Sequence, residues 1–285
     1  MGESLLFNPI NDSFWNSATV VSHLSGDNNS GIWLMEREKK NCVLKKEVSP
    51  YDCRKEVYGL QKLAEVIPQS VPKIYEFGEN HIVMEFCEPV NPSKKNWMQA
   101  GEYLARFHRW EADHWGLDHD NFIGRSRQVN TPQEHFMTTS WGDFYLKTKI
   151  LPQWNRAVES NIIPQTYTKF WHDIQEGIIG LPSFSERPSL LHGDLWSSNL
   201  LFSVNGPVFI DPSVHFGHRE FDFAMISMFG GFEDDFFHGY DEVYPRHEGF
   251  EERLPFYELY HWLNHVNIFG ESYMTSLSQC LDKVL

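Results

Sequence analysis

Cysteine is scarce: four residues in 285, Cys42, Cys53, Cys87 and Cys280, with no C-x-x-C pair and no metal-type spacing. That excludes a disulfide scaffold and a zinc module, and reduced thiols in a cytoplasmic protein are expected. No apolar run reaches the roughly 20 residues that cross a bilayer, so no membrane segment is expected. The opening MGESLLFNPINDSFWNS has no basic stretch ahead of an apolar one, and Leu6 stands where a myristoylation signal needs Ser or Thr. Neither a secretory signal nor a lipid anchor is expected. Positive charge is also short, 24 Lys+Arg against 39 Asp+Glu, for a net −15. The deficit is spread along the chain, −4 over residues 1–88 (9 against 13) and −11 over the remainder (15 against 26). A nucleic-acid partner calls for a basic face, so that class is excluded. Phosphate chemistry is not, provided a divalent cation supplies the missing positive charge. There is no low-complexity tract and no internal repeat.

What is present is core material. Hydrophobic residues make up 41% and aromatics 15% of the chain, enough for one large domain or two lobes. To about residue 88 the pattern is short strands: TVVSHL and GIWLMER flank the polar loop SGDNNS, NCVLKKE follows a charged turn, and VPKIYEFG and HIVMEF flank Glu79-Asn80. An antiparallel meander is expected. One helix interrupts it, with Ser49 as N-cap, Pro50 at its first position, Asp52 near the capping-box site, and an apolar stripe of Val57, Leu60, Leu63, Ala64 and Ile67. CEPVNPSKKN reads as a connector, and beyond it helical patterns dominate. The expected fold is α+β with two lobes, residues 1–88 sheet-rich and residues 89–285 larger and mainly helical. A ligand site between the lobes is the default expectation.

The chemistry concentrates in LLHGDLWSSNLLF, an apolar segment opened by His192, Gly193, Asp194 and Asn199. A carboxylate placed in core material is costly unless paired or used. Asp211 follows at the end of the strand-like PVFIDP. Phosphoryl transfer needs an acid beside the attacking hydroxyl and hard oxygens for magnesium on the nucleotide, and an Asp and Asn on one loop with a second Asp on the next strand meet both needs. Alone, Asp194 or Asn199 reads as a turn cap; together the spacing is specific. In the first lobe, Glu56 shares the apolar stripe of its helix, which turns it inward to seek a cation, and Lys45 alternates with Val43 on the preceding strand. Lys46 replaces Lys45 if the strand register slips by one.

These segments resemble the protein-kinase-like superfamily, and within it the fructosamine/ketosamine kinases, from about Val21 to Tyr273: VLK, HGDLWSSN, IDPSVHFGHREFDFAM, FGGF and NHVNIFGESY. The GHRE run and FGGF separate that family from aminoglycoside phosphotransferases, which share the shorter core. The resemblance implies a protein-kinase-like fold with Asp194 as catalytic base, Asn199 and Asp211 holding Mg2+, and Lys45 on the α/β-phosphates of ATP with Glu56 as its ion-pair partner. It implies phosphate contacts from Gly26, Asn28, Asn29, Ser30 and Gly31, although the loop departs from G-x-G-x-x-G, and adenine recognition by the backbone at Glu85, Phe86 and Cys87. It makes His192 a brace of the catalytic loop and Asp222 its anchor, and it borders the acceptor pocket with Trp196, His218, Phe229, Gly230, Gly231, Phe232, Asn264 and His265. The implied activity is phosphorylation of a sugar hydroxyl, at the 3-position, of ketosamines such as ribulosyl- or fructosyl-lysine, free or on proteins. The product is unstable and releases the amine, a repair of glycated amines. Competing readings are a kinase of the same fold acting on an aminoglycoside, choline or a related alcohol, a catalytically silent binding module, and a metal-dependent hydrolase with Asp194, Asp211 and His192 as ligands. A protein-serine kinase fits less well, because HGD and IDP stand where that group has HRD and DFG.

Overall fold

Alternating side chains build the first sheet. In the computed structural model, which describes residues 18–27, 29–131, 140–181 and 187–285, five strands lie antiparallel: β1 (Thr19–Gly26), β2 (Gly31–Arg37), β3 (Lys40–Lys46), β4 (Ile74–Phe77) and β5 (His81–Glu85). Trp33, Met35, Cys42, Leu44 and Val83 cluster on one face. Ile82 and Met84 cover the other, where Cys53 and Val57 of α1 (Cys53–Val66) meet them. The strand order β1-β2-β3-β5-β4 departs from the simple meander expected. In β5, His81 to Met84 are buried in succession, whereas β4 alternates between half-buried and exposed. A strand covered on both faces takes the interior position and leaves the half-polar one at the edge.

The start of α1 also differs from expectation. Val48–Tyr51 forms a turn, closed by the Tyr51 amide donating to the Val48 carbonyl at 3.1 Å. Asp52, not Ser49, caps the helix by accepting the Arg54 amide at 3.0 Å.

The chain divides into two compact units. One contains the described residues up to Val57 together with Pro72–Phe86; the other contains Tyr58–Val71 and Cys87–Leu285. Tyr58–Val71 belongs to the second because α1 packs there closely, Gly59 against Pro212 and Val214.

The second unit runs α2 (Lys94–His108), the hairpin β6 (Asn121–Ile123) and β7 (Ser126–Gln128), then α3 (Trp141–Tyr145), which passes through one π-helical stretch (Leu146–Ile150) into α4 (Leu151–Glu159). After α5 (Gln165–Thr168) and α6 (Trp171–Ile179) come β8 (Ser189–Leu191), the hairpin β9 (Leu200–Ser203) and β10 (Gly206–Phe209), and β11 (His215–Gly217) paired with β8. Helices α7 (Asp222–Phe229), α8 (Asp234–Val243), α9 (Phe250–Phe269) and α10 (Met274–Val284) close the chain. Its core is dominated by rings: Trp141 stacks on Tyr145 at 5.2 Å, and Phe144, Phe221, Tyr257 and Tyr260 join them. Helices α2 and α8 touch through glycine, since a Cβ at Gly101 would lie 1.9 Å from the Phe236 carbonyl oxygen. No described helix is long and apolar enough to cross a membrane.

Candidate active site

Asp194 is held by a loop whose backbone another carboxylate grips. The amides of His192 and Gly193 donate to Asp222 Oδ2 and Oδ1, each at 2.7 Å. Asp222 opens α7 and is 1% exposed; its Oδ2 also lies 3.0 Å from His108 Nε2, and His108 Nδ1 lies 2.8 Å from the Tyr240 hydroxyl. The loop turns at Gly193, with φ of +83°, where a Cβ would sit 2.1 Å from the Ser213 carbonyl oxygen. Only glycine fits there.

His192 is fully buried, and burial pulls its pKa below the ordinary 6.5. The neutral ring donates from Nε2 to the Ile210 carbonyl at 3.0 Å, while Nδ1 lies 3.3 Å from the Asp194 amide. Both nitrogens are thus committed to the backbone, and the hydrolase reading, which needs His192 as a metal ligand, loses that ligand. His192 instead ties the Asp194 loop to the strand end that leads into Asp211.

Asn199 and Asp211 stand beyond the last rung of the β9–β10 ladder, one on each strand. Leu200 pairs with Phe209, and the Ile210 amide donates to the Asn199 carbonyl at 3.0 Å. Asn199 Nδ2 donates to the Asp194 carbonyl at 2.8 Å and lies 3.5 Å from Asp194 Oδ2. Oδ1 is then the amide's remaining polar atom. Asp211 adopts φ of +53°, a left-handed conformation uncommon outside glycine and tolerated best by Asn and Asp. Such outliers concentrate at functional sites. Asn199 is therefore in contact with Asp194, and the backbone of Asp211 follows directly on the Ile210 amide that bonds to Asn199. Among the described residues no group of three or more His, Cys, Asp or Glu forms a metal cage. What Asn199 and Asp211 offer is a pair of hard oxygen donors.

Asp194 opens onto a pocket of about 670 Å³ within the second unit. Of the residues expected around the acceptor, Trp196, Phe229, Asn264 and His265 line it. Phe229 lies 6.1 Å from Trp196 and 5.5 Å from His265, and it is 40% exposed, so its ring faces a space rather than a core. The His265 ring donates from Nδ1 to the His261 carbonyl at 2.7 Å, and burial lowers its pKa, which leaves Nε2 an acceptor. Asn264 Oδ1 accepts from Gln153 Nε2 at 3.3 Å, leaving Nδ2 as donor. Arg125, Met225, Ile268, Phe269 and Tyr273 also line the pocket. None of these five carries a motif signal of its own, although Phe269 follows His265 by one helical turn and Tyr273 ends NHVNIFGESY.

The remaining residues expected around the acceptor stand elsewhere than in this pocket's lining. His218 is 2% exposed, 3.0 Å from the Tyr257 hydroxyl and stacked on that ring at 5.8 Å. It belongs to the aromatic core, because the neighbouring Arg219 and Glu220 are pulled inward with it. Arg219 donates to the carbonyls of Tyr244 and Pro245, and Glu220 pairs with Arg253. Gly230 and Phe232 line a different pocket of about 400 Å³, with Phe223, Phe237 and Arg246. Opposite faces of α7 serve the two pockets, Met225 and Phe229 lining one, and Phe223, Ile226, Ser227 and the following Gly230 the other. Gly231 lines neither; a Cβ there would lie 2.8 Å from that of Ser197, so it lets the FGGF turn approach the catalytic loop.

In the first unit Lys45 is 6% and Glu56 2% exposed, and Lys45 Nζ lies 2.7 Å from Glu56 Oε2. The Tyr51 hydroxyl donates to the same oxygen at 2.6 Å. Lys45 shares the α1 side of the sheet with Val43, so the register selects it over Lys46. The glycine loop is different from expectation. Asp27 Oδ1 accepts the amides of Asn29 at 2.7 Å and Ser30 at 2.9 Å, and the Ser30 hydroxyl contacts Glu47. Those amides are spent inside the loop rather than held open for phosphate. Gly26 and Gly31 are required by the turn itself, since a Cβ on Gly26 would meet the Ser30 carbonyl oxygen at 2.3 Å. Asn28 lies outside the described residues. Glu85 ends β5, its amide donating to the Lys73 carbonyl at 2.8 Å and its Oε2 accepting the Lys73 amide at 3.3 Å, and the chain passes at Phe86 and Cys87 from one unit to the other.

A model described as fructosamine kinase matches residues 14–285. The chain belongs to the fructosamine kinase family. It is an ATP-dependent phosphotransferase with a protein-kinase-like fold. A protein of Enterococcus faecium named as a ketoamine kinase is 36% identical over 233 residues, covering 80% of each chain. The protein-ribulosamine 3-kinase of the Arabidopsis thaliana chloroplast is 33% identical over 248 residues, 84% of this chain and 74% of that protein. A crystal structure named as a fructosamine-3-kinase from Thermobifida fusca is 28% identical, covers 94% and 93% of the two chains, and superposes with a TM-score of 0.84. An aminoglycoside phosphotransferase, 14% identical with a TM-score of 0.65, shares the fold.

Proposed function

We propose that this family member transfers the γ-phosphoryl group of ATP to a sugar hydroxyl, the 3-hydroxyl, of ketosamines such as ribulosyl- or fructosyl-lysine. The observation that carries this reading is the placement of Asp194 in the wall of a pocket that it shares with the rings of Trp196 and Phe229, the Asn264 amide, the neutral His265 imidazole and the Arg125 guanidinium. Asp194 accepts the proton of the attacking hydroxyl as the oxygen approaches phosphorus. His265 Nε2 and Asn264 Nδ2 offer one acceptor and one donor to the remaining hydroxyls, and Trp196 and Phe229 give the carbon chain apolar surfaces. Asp222 and His192 keep the loop from shifting, since small misplacements of a positioned base are expensive in rate.

Asn199 and Asp211 would hold Mg2+. Their oxygens suit it, and two protein ligands match an ion that keeps its other positions for phosphate and water. Bound there, the ion supplies positive charge that a protein of net −15 lacks. Lys45, braced by Glu56, would bind the α/β-phosphates. The reading supported by bacterial relatives is a cytoplasmic enzyme releasing amines from sugar adducts, with free or protein-bound ketosamines as substrates. The test is phosphorus NMR of the product formed from ribulosyl-lysine and fructosyl-lysine with ATP, alongside an ADP-release screen of choline and aminoglycosides. A phosphate ester on the sugar is expected; turnover of the alcohols alone overturns the reading.

A further inference from the structure

The acceptor pocket carries one charge that the catalytic reading leaves unused. Among the described residues that line it, only Asp194 and Arg125 are charged at neutral pH, because burial holds His265 in its neutral form. Arg125 sits at the tip of the two-residue turn Gly124–Arg125 between β6 and β7. Its guanidinium has no hydrogen bond or ion pair among the described residues. Arg127, two positions on, is by contrast tied to Asp120, with Nε 2.9 Å from Oδ2.

The turn is well placed to hold a ligand group steady. Ile123 pairs with Ser126 and Phe122 with Arg127, and Gly124 supplies the positive φ of +54° that closes so short a turn. The hairpin is fastened to the segment after Asp211: Asn121 Nδ2 donates to the Val214 carbonyl at 2.8 Å, and Gln128 Nε2 to the Ser213 carbonyl at 3.0 Å. The Ser213 amide in turn donates to the His192 carbonyl at 2.8 Å. Arg125 is therefore presented on a backbone bonded to the catalytic loop.

We propose that Arg125 binds an anionic group of the acceptor, namely the carboxylate on its amine half, so that the enzyme prefers ketosamines made from amino acids over those made from uncharged amines. This rests on the ketosamine reading above. A ketosamine of an amino acid carries a secondary ammonium and a carboxylate. The rings of Trp196, Phe229, Phe269 and Tyr273 suit the ammonium through their π faces, and a guanidinium takes a carboxylate with two parallel hydrogen bonds. A phosphate on the sugar half would present the same chemistry to Arg125, and the experiment separates the two.

The experiment compares kcat/KM for three ribulosyl adducts, of an amino acid, of the corresponding carboxamide, and of the carboxamide with a 5-phosphate on the sugar. The enzymes are the unaltered protein, Arg125→Gln and Arg125→Lys, with melting temperatures recorded for each. The expected result is a preference of about tenfold for the carboxylate over the carboxamide, the scale of one charge-assisted contact at an exposed site. That ratio should collapse toward unity in Arg125→Gln and persist in part in Arg125→Lys. If the phosphate-bearing adduct alone shows the preference and its loss, the anion lies on the sugar half, and the assignment to the amine half is overturned. Equal use of charged and uncharged adducts by the unaltered enzyme overturns the role of Arg125. Inactivity on every ketosamine overturns instead the function on which the proposal stands.

Discussion

The carboxylate of Asp222 receives the backbone amide of Gly193 at 2.7 Å, across 29 positions of the chain, and with its second oxygen receives that of His192. One buried acid thus sets the path of the loop that carries Asp194. Asp222→Ala strands two buried donors, each worth about 1–3 kcal/mol. We expect denaturant unfolding to report that loss of stability and ADP release to report a fall in kcat in the same variant. Unchanged stability would remove the anchoring role.

Asp194→Asn should keep the fold, since the side chain is half-buried and its loop is held from elsewhere. Loss of the proton acceptor lowers kcat by about 10²–10⁴-fold. Nucleotide affinity, measured by titration calorimetry, should remain measurable, and near-normal turnover would take Asp194 out of the mechanism.

Glu56→Gln removes the carboxylate 2.7 Å from the buried Lys45 ammonium, and breaking one partner of such a pair costs about 3–5 kcal/mol. The double variant Lys45→Met, Glu56→Leu removes both charges and should recover much of that stability while staying inactive. Urea midpoints and turnover, measured on both proteins, separate the structural use of the pair from its use on nucleotide.

Acid should destabilise the protein before its carboxylates titrate. His215 and His261 are held well below the ordinary 6.5, by burial first; Lys149 adds to this at both, and His265 precedes it at His261. Below pH 6.5 the unfolded chain binds protons that the folded chain refuses, so stability present above that pH is lost as the pH falls. Each histidine contributes up to about 1.4 kcal/mol per pH unit. A series of unfolding curves between pH 7 and 5 should show the decline, and His261→Phe should flatten it by about one such increment. An unaltered slope in that variant would show that His261 is protonated in the fold.

The catalytic motif was readable because it is nearly contiguous. A strand, a glycine turn, Asp194, Asn199, a tight hairpin and Asp211 leave the chain little freedom, so spacing alone predicts convergence. Helical periodicity turned Glu56 inward and strand alternation left Lys45 or Lys46 to meet it; the family resemblance chose Lys45, and the two side chains pair at 2.7 Å. The errors fell where local pattern was silent. Ser49 and Pro50 carry a helix-start signature, yet the turn at Val48–Tyr51 moves the cap to Asp52. In SGDNNSG the glycines read as phosphate-binding, whereas the Asp27 carboxylate takes the amides that such binding would use.

The sequence by itself determined the family and the succession of a strand-rich segment followed by a mainly helical one, because these depend on residues close in the chain and on alternation that any fold must respect. The tertiary structure alone decided which rings line a pocket and which face the core. His218 was drawn inward by Tyr257, Phe229 and Gly230 were parted by the end of α7, and Arg125 was brought to the acceptor pocket by the docking of β6–β7. Periodicity says which side chains share a face; only the partner packed against that face determines whether it is buried or left open to a substrate.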